Sequence, residues 1–165
     1  MVAFSNGISK NSETLMKTKQ NIQDLANWFL TKESMTHKKL QKLCYYAVAW
    51  GYTLTSNKII EDDEFQAWVH GPVSRTLFET YRDNGWNLLP SYSGSINFPD
   101  NIIEILESVW STYGDKGGNE LEALSHSEKP WIEARAGLAD SALSANVIST
   151  SAMKEFYNSI KSTEY

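Results

Sequence analysis

Between Thr36 and Gly51 the chain reads THKKLQKLCYYAVAWG, and no other stretch limits the possible folds so tightly. Leu40, Leu43, Cys44, Ala47 and Trp50 recur on one face at helical spacing. His37, Lys38, Gln41 and Lys42 take the other face at the start. Further on, Tyr45, Tyr46, Val48 and Ala49 leave little polar surface. A helix that turns apolar all round lies in the interior, so the rest of the chain has to supply its surroundings. Thr36 is the expected N-cap and Gly51 the expected end.

The flanking segments supply helices. Asn21 caps an expected helix over Ile22 to Lys32, with Ile22, Leu25, Ala26, Phe29 and Leu30 as its stripe; Trp28 sits off that stripe. Downstream, Phe65-Gln66-Ala67-Trp68-Val69 alternates as a half-buried strand, and Ile59-Ile60 is its expected hairpin partner. His70-Gly71-Pro72 breaks the strand, with Pro72 suited to the first turn of a helix carrying Val73, Leu77, Phe78 and Tyr81. That helix ends at Asn84-Gly85, and Trp86 to Phe98 reads as a loop. Pro99 and Asp100 open the most apolar helix, stopped by Gly114. Shorter helices follow over Asn119 to His126 and from Pro130 to Ala136, then a small-residue loop over 137–148. A last helix, capped by Ser149 or Ser151, carries Met153, Phe156, Tyr157 and Ile160. The expected fold class is α+β, predominantly α-helical: a compact helical domain with one small antiparallel β-hairpin. Residues 1–20 read as a flexible N-terminal lead-in, and residues 21–165 as one domain.

Charge and chemistry narrow the function. A chain of 165 residues buries enough surface to fold without a disulfide or metal. Its net charge of −5 argues against sequence-independent nucleic-acid binding. Lys32, Lys38, Lys39 and Lys42 lie close together and read as a solvated helix face. One cysteine, Cys44, excludes an internal disulfide and a Cys-rich zinc site. With no transmembrane run and no signal-peptide core, the expected location is cytoplasmic, with no membrane partner.

Catalytic and metal-binding patterns are weak. His37, His70 and His126 lack metal-ligand spacing. His70 reads as a general base, as a polar contact at a partner surface, or as a ring that ties down its own turn through a backbone carbonyl. Cys44, on the apolar stripe, reads as a small hydrophobe rather than a nucleophile. Glu61, Asp62, Asp63 and Glu64 lack the spacing of a calcium loop and read as a solvated acidic loop, with partner recognition second. Asp115 to Asn119 is not a P-loop, and Ser125 and Ser127 beside His126 form no nucleophile elbow. No cofactor, metal or catalytic residue is assigned.

Two blocks in order, Lys39-Leu40-Gln41-Lys42-Leu43-Cys44-Tyr45-Tyr46-Ala47 and Phe65-Gln66-Ala67-Trp68-Val69-His70-Gly71-Pro72-Val73, resemble the Panacea domain of SocA-like and GepA-like phage-associated proteins. Leu124-Ser125-His126 followed by Lys129-Pro130-Trp131 is similar to that family's third element. The resemblance spans about residues 22–158 and departs from the family pattern at Cys44, where an aliphatic residue is usual. It implies an antitoxin that neutralises a cognate protein toxin by direct binding, or alternatively an adaptor that delivers a toxin to a protease. An enzyme using His70 with a nearby carboxylate is the reading from another class. Trp28, Tyr45, Tyr52, Trp68, His70 and Trp86 are the candidate partner contacts, each with core packing as its plain alternative.

Overall fold

A computed structural model describes residues 20–162. The expected flexible lead-in falls outside the described residues except for Gln20, whose backbone carbonyl accepts from the Glu61 N–H. Among the described residues there are seven α-helices and two two-stranded antiparallel ladders, a predominantly helical α+β fold.

Helix α1, Ile22–Leu30, opens with a capping box: Asn21 accepts from the Asp24 N–H, and the Asp24 carboxylate accepts from the Asn21 N–H. The Asp62 carboxylate accepts from the Ile22 N–H at 2.6 Å, placing an acid at the positive end of the helix. Strand β1, Met35–Thr36, pairs with β4, Leu88–Leu89, inside the segment expected to be all loop. Helix α2, His37–Thr55, is the expected interior helix and is capped by Thr36. It does not stop at Gly51. It continues to Ser56, which adopts the left-handed conformation at φ 60°. Gly51 serves close packing instead, because a Cβ there would sit 2.5 Å from Ile59 Cγ2. Ile59 and Ile60 are buried, and they plug the core rather than form a strand.

The hairpin forms with a different partner. Strand β2, Gln66–Trp68, pairs with β3, Gly71–Val73, across the two-residue turn Val69-His70. Ala67 turns its N–H to the Asn146 carbonyl and its own carbonyl to Arg135, both away from β3. Its opposite residue, Pro72, therefore needs no N–H on the β2 side, and a proline fits the ladder there. Pro72 does not begin the following helix: Ser74 caps α3, Arg75–Tyr81, and a short 3-10 turn over Arg82–Asn84 ends at Gly85. Helices α4, Asp100–Tyr113, α5, Gly118–His126, α6, Lys129–Ala134, and α7, Thr150–Ser162, complete the fold. Ser149 caps α7 through the Ala152 N–H. Helices α1, α4, α5, α7 and strand β3 all pack on α2.

The core around α2 is aromatic and includes one acid. Tyr46 stacks on Tyr113 with ring centres 4.0 Å apart, and the Trp50 indole donates to the Tyr113 hydroxyl. Glu128, 6% exposed, accepts from Tyr46 at 2.9 Å and Tyr157 at 2.8 Å, both on Oε1. The Tyr45 and Tyr157 hydroxyls lie 3.2 Å apart. A phenol carries one proton, so Tyr157 gives its own to Glu128 and takes that of Tyr45. One carboxyl thus joins α2, the start of α6 and α7. Burial pushes the Glu128 carboxyl up from 4.5 to about 7, against the two phenol hydrogen bonds, which act the other way.

A folded-state value above the unfolded one means that the fold prefers the protonated acid. The Glu128 contribution is therefore complete below about pH 4.5 and is lost as the pH rises through about 7. Glu128→Gln keeps an oxygen for the tyrosines and removes the titration. The variant should melt above the wild type at pH 8 by about 3 °C or more, with the gap closing toward pH 5. A thermal unfolding series in both proteins measures this; a gap independent of pH contradicts it.

Candidate functional site

His37, Lys38, Gln41 and Lys42 share one face of α2, the face expected to be solvated. The structure covers it instead: Gln41 is 3% exposed and Lys42 1%. The β2–β3 hairpin folds over this face and gives its polar groups backbone partners. The Gln41 amide donates to the Ser74 carbonyl at 3.0 Å and accepts from the Ser74 N–H at 2.8 Å. One side chain thereby pairs with a backbone residue in both directions, as a neighbouring strand would. Lys42 Nζ donates to the Pro72 carbonyl at 3.2 Å. The other lysines are also engaged. Lys39 donates to the Gly114 carbonyl at the C-terminal end of α4, Lys38 pairs with Glu122, and Lys32 pairs with Glu107.

Gly71 has two reasons to be glycine. Its φ is +105°, and a Cβ would lie 2.6 Å from Lys42 Cε and 3.0 Å from Ser125 Oγ. The third sequence block meets the first two at this point. Ser125 faces Gly71, His126 stacks on Trp131 at 4.0 Å, and the Trp131 indole donates to the Trp68 carbonyl. The Arg135 guanidinium, 2% exposed, binds the carbonyls of Ala67, Ala139 and Ala142 and fastens the 137–148 loop to β2.

The hairpin turn projects beside a cleft of about 330 Å³. His37, Gln41 and Lys42 form its buried lining; Trp68, Phe78 and Trp86 are its aromatic lining. Lys38, His70 and Arg82 also border it. Trp86 is 79% exposed, with the Lys38 ammonium 6.0 Å from its ring centre. Trp68 stacks edge-on to Phe78 and lies near the Arg75 guanidinium. On its other side, Trp68 borders a second, larger hollow that includes Val69 and the 89% exposed Leu143. His70 Nδ1 lies 3.1 Å from Glu122 Oε2, and the side chain is 73% exposed. Its partner is a carboxylate, not the backbone carbonyl expected of a turn-fixing ring.

Burial sets the electrostatics of the cleft. It lowers Lys42 from 10.5 to about 7; the Lys38 charge adds to this and Glu122 opposes it. Burial, with the Lys42 charge behind it, lowers His37 from 6.5 to about 4. Glu122 goes the other way: burial alone would raise it, but its bonds to Lys38 and His70 outweigh burial and hold it below the usual carboxylate range. Burial raises the Cys44 thiol well above its ordinary value, as befits a core residue. Among the described residues no three His, Cys, Asp or Glu side chains are grouped to hold a metal.

Of the six candidate contacts, the structure brings Trp68, His70 and Trp86 together around one cleft. Trp28 is 7% exposed and packs edge-on to Phe29. Tyr45 is 1% exposed among Phe65, Tyr46 and Tyr157. Tyr52 lies half-buried on α2, away from the cleft lining. Gln41, Lys42, Glu122 and Arg82 also line or border this site, beyond the six candidate contacts. The first two carried a signal, being polar residues within an otherwise buried helix; the others carried none.

The latch predicts its own failure. Gln41→Leu leaves the buried Ser74 N–H unpaired, while the Ser74 carbonyl keeps the Phe78 N–H of α3, and should cost about 1–3 kcal/mol, read as a lower urea midpoint. Gln41→Glu keeps the acceptor but sets a second oxygen against the Ser74 carbonyl, and should also destabilise. A Gln41→Glu protein as stable as the wild type at neutral pH would remove the latch from the account.

Comparison with known proteins adds the family. No curated protein and no solved structure matches the chain. A family model described as Antitoxin SocA-like, Panacea domain, matches residues 40–132, which run from α2 through the hairpin to Ile132 in α6. The match covers more than half of the chain and contains the three motif blocks that interlock at the hairpin, apart from Lys39. The chain belongs to the SocA-like antitoxin family and carries its Panacea domain.

Proposed function

We propose that the chain neutralises a cognate protein toxin by direct, non-enzymatic binding, and that the face around the hairpin turn makes the contact. One observation carries the choice of face: Trp86 stands 79% exposed at a cleft it shares with Trp68 and His70. A large indole left in water beside a preformed hollow is the usual anchor of a protein interface. The second hollow, with Leu143, extends the surface toward the size that a stable complex needs, about 1,600 Å² in total. The domain itself, on this reading, runs from residue 21 to residue 165, because α1 and α7 flank the same central helix as the matched segment. The reading places the protein in the cytoplasm with its toxin.

The pairing of His70 with Glu122 supplies the nearby carboxylate that an enzyme using His70 would need, so the choice of a contact role rests on the surroundings of the pair. Lys38 shares the carboxylate, and the neighbouring Ser125 hydroxyl donates to the Glu122 backbone carbonyl rather than to His70. A general base needs a substrate proton within reach of a free ring nitrogen. Here the ring is held through Nδ1 at the rim, no hydroxyl or thiol nucleophile among the described residues is directed at it, and its exposed edge is placed to meet a partner surface.

The test co-expresses the chain with the product of the neighbouring gene. Growth arrest by that product alone, relieved by a co-purifying pair, is the expected result. Trp86→Ala should keep its fold and weaken the complex about 30-fold, while Ile132→Ala, half-exposed on α6, should not. Relief without a complex, with the toxin disappearing, would favour the adaptor reading. Full affinity in Trp86→Ala would move the contact face elsewhere.

A further inference from the structure

We infer that the cleft beside the hairpin is a receptor for a carboxylate, filled in the complex by an acidic side chain of the toxin. The inference rests on the reading of this face as the contact surface and names what that surface recognises.

The lining of the cleft contains three basic side chains, Lys38, Lys42 and Arg82, and two imidazoles, His37 and His70, but no carboxylate. Glu122, which pairs with Lys38 and His70, and Glu79 and Asp83, which pair with Arg82, are outside the lining. Lys42 is the unusual member. It is 1% exposed, and among the described residues its hydrogen-bond partner is the Pro72 carbonyl. In its charged form the amine has three N–H groups, two more than the Pro72 carbonyl takes, at a buried position that borders the cleft. A buried donor without a partner is costly, and a carboxylate seated there would remove that cost through charge-assisted hydrogen bonds. Trp68, Phe78 and Trp86 offer apolar surface to the stem that carries the acid.

The charge of the whole chain sharpens the argument. With a net charge of −5, the protein as a whole repels acids. Acidic recognition therefore needs a local, shaped site, and this cleft gathers basic groups whose paired acids all lie outside its lining, with Lys42 alone held by a backbone carbonyl. The titratable groups that act on Lys42 are Lys38 and His37 from α2 and Glu122 and His126 from α5. A bound carboxylate would act in the same sense as Glu122 and raise the Lys42 titration toward its ordinary range.

The experiment uses the whole chain and two small probes of equal shape, phenylacetate and its neutral amide, phenylacetamide. Lysine side-chain NMR follows Lys42 and its titration. Phenylacetate should bind about tenfold or more tightly than the amide, raise the Lys42 titration, and compete with the toxin for the protein. Lys42 also holds the Pro72 carbonyl, so Lys42→Met tests folding as well as binding. Arg82→Gln, at an exposed position, tests binding alone and should lessen the preference for the acid. Equal binding of acid and amide, or no response at Lys42, overturns the carboxylate receptor while leaving the contact face intact if Trp86→Ala still weakens the complex. A clear preference for the acid, with a toxin complex indifferent to phenylacetate and to Arg82→Gln, assigns the site to a free small carboxylate and overturns the docked side chain. No complex in any variant overturns both readings.

Discussion

The two-way pairing of Gln41 with the backbone of Ser74 is the interaction on which the functional face depends. A two-stranded hairpin is marginal alone in water, and β2–β3 has only three residues in each strand. It persists because α2 supplies the missing neighbour: the Gln41 amide stands in for a third strand, and Lys42 takes the Pro72 carbonyl. On the other edge, the 146–148 segment pairs with Phe65 and Ala67. The hairpin is thereby held from both sides, its turn is fixed, and His70 is placed over Glu122. Gly71 completes the arrangement by allowing the backbone to press onto the Lys42 stem.

The three sequence blocks have separate physical tasks in one junction. The first gives a helix that carries both core aromatics and buried hydrogen-bonding groups. The second gives a strand, a turn and a strand that those groups grip. The third gives Ser125 against Gly71, His126 stacked on Trp131, and Glu128 beneath Tyr46 and Tyr157. Polar groups buried this deeply add little net stability but make one arrangement far better than its alternatives, because any shift leaves them unpaired. Such a junction keeps an exposed, aromatic face in a single shape, which lowers the ordering cost of binding.

Much of the fold was legible. Asn21, Thr36, Pro99, Gly114 and Ser149 stand at helix ends where the sequence placed them, because caps and stops act over four residues and need no tertiary partner. The strand around Ala67 was also legible, but its partner was not: Ile59-Ile60 and Gly71–Val73 are both short apolar candidates, and only the packing of Ile59 against Gly51 separates them. The site was legible in part. Trp68, His70 and Trp86 meet at the cleft, whereas Trp28 and Tyr45 went into the core. An aromatic ring carries the same pattern in both places, and the neighbours that cover it come from distant segments.

By itself, the sequence determined where most helices lie, that α2 lies in the interior, and that the strand around Ala67 breaks near His70. These follow from periodicity and from backbone sterics, which are local. Only the tertiary structure decided that the polar face of α2 is covered, that Gln41 and Lys42 grip a hairpin 33 and 30 residues away, and that Glu122 lies beneath His70. A glutamine or a lysine can satisfy its hydrogen bonds equally well with water or with a distant carbonyl. Its identity therefore says that it needs partners, while the packing of the whole chain decides which ones it finds.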